Sequence, residues 1–198
     1  QLNVAAFYYD YDDYQARLFV DQMALVENAA KATVQGIEVE FLVNPFAGLE
    51  LDGSAAWLDG EFDEFVADNP MTPGMELVDL EGNKLLRSPE YSFNLGAQYY
   101  WELGARGSLV ARYEVAHKDD YELTTFNDDF TRIDAYTVQN ARLSWDDGDA
   151  WELHAFVENL TDEDHLESII STPLVGGALG MWALPRTWGV QVTYRAGA

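Results

Sequence analysis

WELHAFVENLTD at Trp151–Asp162 and PRTWGVQVTYR at Pro185–Arg195 are the stretches whose reading decides the fold. In the first, Trp151, Leu153, Ala155 and Val157 alternate with Glu152, His154, Phe156 and Glu158. In the second, Trp188, Val190, Val192 and Tyr194 alternate with Gly189, Gln191, Thr193 and Arg195. A period of two sorts these sets onto opposite faces of a strand. One face is apolar with aromatics near its ends, and the other is polar or charged. That is the pattern of a strand with lipid on one side and water on the other.

Working outward, the same alternation recurs. Leu2, Val4 and Ala6 open a strand to about Leu18, where Phe7, Tyr8, Tyr9 and Tyr11 blur the facing. A polar connection through Glu27 and Asn28 is expected next. Ile37, Val39, Phe41 and Val43 then oppose Glu38 and Glu40, and Leu51, Gly53, Ala55 and Trp57 oppose Glu50, Asp52 and Ser54. Asp63–Arg87 holds Pro70, Pro73, Gly74 and Gly82 and reads as a long loop. From Ser88 the alternation is clearest: Tyr91, Phe93, Leu95, Ala97, Tyr99 and Trp101 against Ser92, Asn94, Gly96 and Gln98. Leu109, Ala111, Tyr113 and Val115 oppose Arg112 and Glu114, and Ala141, Leu143 and Trp145 oppose Asn140, Arg142 and Ser144. Asp147-Gly148 supplies the positive φ of a tight hairpin.

The expectation is an all-β chain, an antiparallel up-and-down transmembrane wall of about eight strands, its connections alternating long and short as in outer-membrane barrels. Trp57, Trp101, Trp145, Trp151, Trp188 and Tyr194 sit near strand ends, where amphipathic rings favour the membrane interface; the plainer alternative is that aromatics favour strands anyway.

Composition narrows the function. The chain of 198 residues carries 35 acidic and 11 basic side chains, a net charge of −24. So acidic a surface argues against nucleic acid, whose phosphates demand Lys and Arg. At 48% hydrophobic it is not a disordered acidic tail. It has no cysteine, hence no disulfide or thiolate metal site. No run of about 18 apolar residues makes a transmembrane helix, which leaves membrane strands open.

The polar face gathers Glu38, Glu40, Glu114, Glu152, His154 and Glu158, with Arg112 and Arg142 as cations. A barrel of about eight strands is filled by its own side chains. Carboxylates crowded there would be left partly unpaired, at several kcal/mol each. A wide, watery lumen removes that cost, so these strands read as one arc of a larger wall.

Four segments carry a family resemblance: NAAKATVQGIEVEF (Asn28–Phe41), NKLLRSPEYSFNLGAQY (Asn83–Tyr99), WELHAFVENLTDEDH (Trp151–His165) and PRTWGVQVTYR (Pro185–Arg195). In this order they resemble the C-terminal part of TonB-dependent outer-membrane receptors. The resemblance implies that residues 1–198 are the C-terminal arc of a barrel of roughly 22 strands, in the bacterial outer membrane. It implies partners: lipid and lipopolysaccharide, the barrel assembly machinery, and the TonB complex acting through a plug domain with no counterpart here. It implies uptake of a scarce substrate such as siderophore-iron, cobalamin, haem or glycan. Family barrels end on an outward aromatic; here Tyr194 is followed by Arg195, Ala196, Gly197 and Ala198. Two other readings are weighed: an autonomous eight-stranded structural or adhesive barrel, and a soluble lipocalin-like module with its apolar face inside.

No catalytic set appears, so an enzyme is not expected, and neither a cofactor nor a bound metal is implied. There is no G-x-S-x-G, H-E-x-x-H or phosphate loop. His117, His154 and His165 are far apart in sequence. Asn159-Leu160-Thr161 matches a glycosylation sequon but lies at a strand exit. The substrate-contact candidates are in one loop: Asp119, Asp120, Asp128 and Asp129 with Glu122 for a hard cation, and Tyr121 and Phe126 for ring stacking. The plain alternative is a solvated acidic loop.

Overall fold

The computed structural model describes residues 1–20, 23–69, 77–172 and 177–196. Eight strands form one antiparallel sheet in chain order: β1 (Leu2–Val20), β2 (Met23–Phe46), β3 (Leu49–Glu64), β6 (Tyr91–Glu102), β7 (Ser108–Lys118), β8 (Tyr136–Asp146), β9 (Trp151–Glu158) and β12 (Thr187–Tyr194). Two small hairpins sit apart from it, β4 (Val66–Asp68) with β5 (Leu77–Asp79) and β10 (Leu166–Thr172) with β11 (Gly177–Trp182). No helix among the described residues is long and apolar enough to cross a membrane, which says nothing against strands doing so.

Residues directly opposite one another in a sheet share a face, so the register tests the alternation strand by strand. Ile37 pairs Trp57, Trp57 pairs Tyr91, Leu95 pairs Val115, Ala111 pairs Leu143, Leu143 pairs Ala155 and Ala155 pairs Val190. The apolar sets therefore form one continuous face. Glu40, Ser54 and Asn94 pair across the other, as do Asp52, Gly96, Glu114 and Asn140. The apolar face is open rather than packed: Trp188 is 74% exposed, and Val190 and Leu95 are exposed too. A lipocalin-like arrangement, with these residues inside, is thereby ruled out. Closure as an eight-stranded barrel would need β1 to pair β12, but they are the two edges of the sheet.

The aromatic interface candidates sort to the two ends of the sheet. Trp101, Trp145, Trp151 and Tyr194 lie at the short-turn end; Trp57 and Trp188 lie toward the other. Trp145 Nε1 donates to the Arg106 carbonyl at 2.9 Å, and the Trp151 and Tyr194 rings are 4.7 Å apart. From Tyr91 to Trp101, about ten steps of ~3.3 Å at a tilt of ~40° give ~25 Å, the height of a barrel's apolar band. Two polar side chains on the apolar face satisfy themselves locally. Gln139 accepts from Tyr113 Oη at 2.6 Å, and His117 stacks on Phe93 at 5.2 Å while bonding Thr137 at 2.9 Å.

Three expectations change at the long-connection end. Glu27 and Asn28 are in β2, not in a loop: β1 and β2 run on as a tall hairpin, with a bulge between Tyr11 and Tyr14. Above the band lipid no longer enforces alternation, while unpaired backbone groups still favour the ladder. Asp63–Arg87 contains the β4–β5 hairpin, folded over the polar face of β2 and β3 to make the buried cluster of Ala32, Phe62, Phe65, Leu80 and Leu85. Pro70, Pro73 and Gly74 lie outside the described residues, as do Gly197 and Ala198. The last long connection, between β9 and β12, is likewise not plain loop but holds β10 and β11.

The Asn-Leu-Thr-Asp exit proves to be a clamp. Asn159 and Asp162 adopt positive φ, 52° and 58°, a region Asn and Asp tolerate better than most residues. Buried Asn159 donates from Nδ2 to the carbonyls of Glu163 (2.9 Å) and Leu184 (3.3 Å), and its Oδ1 accepts from Glu163 N–H (2.8 Å). Asp162 accepts from the backbone N–H of Arg186 at 2.8 Å, while the Arg186 guanidinium reaches Leu160 O and Asp162. Asn159 is thus a buried clamp residue rather than an open sequon.

Candidate functional site

The polar face carries the predicted wall residues. Arg112, on β7, forks onto Asp52 of β3 at 2.7 and 3.0 Å and also meets Glu114 at 2.9 Å. Gly96 of β6 lies between them; a Cβ there would fall 2.6 Å from the Arg112 guanidinium and 2.7 Å from Asp52. Glycine lets the ion pair lie flat across the intervening strand. Nearer the short-turn end Glu152 pairs with Arg195 and stands 3.9 Å from His154, whose Nδ1 meets Ser144 Oγ at 2.9 Å. Glu38, Glu40, Arg142 and Glu158 share this face, and Glu40 accepts from Asn3 at 3.5 Å.

The acidic loop between β7 and β8 is organised by Arg132. It meets Glu122 at 2.7 Å, Asp129 at 3.4 Å and Asp120 at 3.9 Å. Glu122 is only 3% exposed, and its Oε2 has no partner. Burial pushes the Asp128 carboxyl above the usual carboxylate range, with the Glu122 and Asp129 charges adding to it. Asp119 caps the Asp120 N–H at 3.0 Å. The two rings are placed differently from a stacking platform. Tyr121 is buried, bridged to Ile133 and covered by Lys118 Nζ at 5.6 Å, while Phe126 packs on the buried cluster. Among the described residues no group of three acids or histidines is disposed to hold a metal ion.

What the alternation did not reveal is a ladder of rings on the polar face. Phe7, Tyr9 and Tyr11 follow one another at 5.4 and 6.0 Å, Tyr14 continues at 5.9 Å, and Phe62 and Phe65 complete it at 5.8 and 4.9 Å. The odd numbering of Phe7, Tyr9 and Tyr11 was the available signal; Tyr8 beside them obscured it.

An open antiparallel arc with one apolar face, one charged face and loops massed at one end is the wall of a transmembrane β-barrel. The sequence profile of the TonB dependent receptor-like β-barrel family matches residues 1–160, and the chain belongs to that family. Its fold is shared by the ferric yersiniabactin uptake receptor FyuA of Yersinia pestis, at TM-score 0.76 and 22% identity over 98% of this chain and 27% of that one. It is shared too by the siderophore receptor PiuA of Acinetobacter baumannii, at TM-score 0.75 and 14% identity over 98% and 25%. The ferric-catecholate import receptor Fiu of E. coli K12 superposes at TM-score 0.68 and 17% identity over 98% and 25%. The chain thus spans about a quarter of the length of these receptors.

Proposed function

We propose that residues 1–198 are the C-terminal arc of a receptor barrel that takes up a scarce nutrient across the bacterial outer membrane, driven by the TonB complex through a plug domain. The role is transport rather than catalysis. The observation that carries this reading is the register: from Ile37 and Trp57 across to Val190 it keeps the alternating apolar sets on one face, with Glu38, Glu40, Asp52, Glu114 and Glu152 on the other. The outer face holds the arc in lipid, the inner face lines the bore, and the long-connection end faces the cell exterior, where its acids meet the cations of lipopolysaccharide. Insertion falls to the barrel assembly machinery. The solved receptors of this fold include importers of iron–siderophore complexes, which makes siderophore-iron a candidate cargo.

The test is made on the complete receptor carrying this arc. It should fractionate with the outer membrane as a heat-modifiable barrel and support nutrient accumulation that stops when the proton-motive force is dissipated. A receptor found in the soluble fraction, or accumulation indifferent to that force, refutes the reading.

A further inference from the structure

We infer that residues 77–90 and 119–135 are joined into one cap at the long-connection end, and that a proton held between Glu122 and Asp128 is the latch that keeps the cap closed. Acid tightens the latch and alkali loosens it. The inference goes beyond the uptake reading and holds whatever the receptor imports.

The join comes first. Asn127 does the work of a strand residue: its Oδ1 accepts from the Lys84 N–H at 2.7 Å, and its Nδ2 donates to the Lys84 carbonyl at 3.1 Å. Asn83 Nδ2 donates to the Thr125 carbonyl at 2.8 Å, and the Arg87 N–H donates to the Glu122 carbonyl at 2.9 Å. Phe126 packs across the same seam onto the buried cluster that holds Phe62, Leu80 and Leu85. Shared backbone bonds and a shared apolar floor make the two connections one cooperative unit.

Glu122 lies at this seam, its backbone on Arg87 and its side chain turned inward. Oε1 accepts from Arg132 Nε at 2.7 Å, while Oε2 is buried without a partner. A buried carboxylate oxygen with nothing donating to it is costly. Arg132 is also drawn to Asp129 at 3.4 Å and Asp120 at 3.9 Å, so one guanidinium serves three carboxylates. Asp128 is half-buried beside them; burial pushes its carboxyl up, and the Glu122 and Asp129 charges push it further. Among the described residues no three acids converge on a metal ion. A proton on Asp128 gives Glu122 Oε2 the donor it lacks and removes one of two neighbouring charges.

The other charged groups around the latch are engaged elsewhere. Lys118 lies over the Tyr121 ring at 5.6 Å, Lys84 is 4.0 Å from Glu90, and Arg87 acts on the Tyr121 hydroxyl. Asp119 caps the Asp120 N–H. Tyr136 of β8 bonds Tyr121; His165 stacks on Tyr136 at 4.0 Å, and the Glu167 charge acts on it. Glu122 Oε2 is enclosed by this chain's own residues, so parts of the receptor beyond them do not reach it. A carboxyl held above its unfolded value contributes stability that is full below that value and is lost as pH rises through the folded one. The cap therefore closes in acid.

The experiment is amide hydrogen exchange on the complete receptor in detergent, corrected for the intrinsic exchange rate at each pH. The reporters are the N–H groups of Lys84, Arg87, Thr131 and Ile133, all hydrogen-bonded in or beside the seam. From about pH 8 down to about pH 4.5, toward the unfolded carboxylate value, their protection should rise together, by at least about threefold. Asp128→Asn puts an amide donor in place of the proton and should hold protection at its acid level throughout. Glu122→Gln should likewise abolish the response. Asp129→Asn removes the same charge from an exposed carboxylate and should keep it. Asn127→Ala should lower protection on both connections at every pH. Protection that is constant with pH or falls in acid overturns the latch, as does a response that survives in both Asp128→Asn and Glu122→Gln or vanishes in Asp129→Asn. Reporters on either connection that ignore Asn127→Ala overturn the join.

Discussion

Val190 and Gln191 are neighbours on β12 that face opposite sides of the sheet: Val190 pairs Ala155 on the apolar face, Gln191 pairs His154 on the polar one. Val190 stands about four steps above Tyr194 at the short-turn end of β12. At ~3.3 Å per residue and a tilt of ~40°, that is ~10 Å into a band ~25 Å tall, close to its midplane. A lysine at that depth on the lipid face costs about 2–4 kcal/mol, while a lumen substitution leaves stability nearly unchanged. Val190→Lys should therefore lower the unfolding free energy of the complete receptor by ~3 kcal/mol, and Gln191→Lys by less than ~0.5 kcal/mol. The assay is denaturant unfolding in liposomes followed by tryptophan fluorescence, with the slope of the transition checked for constancy. Trp188, two residues away and 74% exposed, reports on this locale. Equal losses for the two variants, or a greater loss for Gln191→Lys, would refute the assignment of lipid to the apolar face.

Three further outcomes follow from named contacts. Asn159→Ala removes a buried side chain making three hydrogen bonds and puts alanine at φ 52°; about 2–4 kcal/mol should be lost in the same unfolding assay, with Asn159→Gly milder because glycine accepts the backbone angle. Arg112→Met leaves Asp52 and Glu114 facing each other in a row that is only about a third exposed; discounted for solvent screening, about 1–2 kcal/mol should go, recovered in part by adding Asp52→Asn. Asp147 is held below the usual carboxylate range by the backbone N–H groups of Trp151 and Asp149, and also by that of Ala150. Its contribution is therefore present above the unfolded carboxylate pKa and disappears as pH falls through the lower, folded one. Asp147→Ala should destabilise the β8–β9 hairpin at neutral pH, and the gap to wild type should close in strong acid when melting curves are compared.

The facing of β3, β6, β7, β8, β9 and β12 was legible because lipid and water impose a period of two that no tertiary contact needs to override. Above the band that constraint lapses. Glu27 and Asn28 look like a connection by composition yet belong to β2, because pairing to β1 satisfies their backbone whatever their side chains are. The same loss of constraint hid the ladder: with rings at Tyr8 and Tyr9 alike, nothing local says which one looks inward. The bulge between Tyr11 and Tyr14 shifts the parity once more. In the acidic loop the residue types were seen but not their depth. Tyr121 and Glu122 read as contact candidates in a loop that could equally be solvated, whereas the bridge from Tyr121 to Ile133 and the ion pair from Glu122 to Arg132 turn both inward. Burial of a loop depends on partners about ten residues away, which periodicity does not report.

The clamp gives the most conspicuous local sequence pattern a mechanical meaning. Asn159, Asp162 and Arg186 flank the whole excursion through β10 and β11, yet its two ends are tied at the base, Asn159 donating to the Leu184 carbonyl and Asp162 accepting from Arg186. β9 and β12 are consequently fixed in register by their own pairs, Val157 with Trp188 and Ala155 with Val190, and by a closed ring beneath the loop. The ring thus ties both ends of the loop to the wall at its base. A receptor surface must change with its ligand while the barrel register must not, since a slip of one residue would turn every apolar side chain of β12 into the bore. Shortening the β10–β11 hairpin while leaving Asn159, Asp162 and Arg186 in place should thus preserve barrel assembly, whereas Asp162→Ala with the loop intact should impair it. The reverse ranking in a heat-modifiability assay would show that the loop, not the clamp, sets the register.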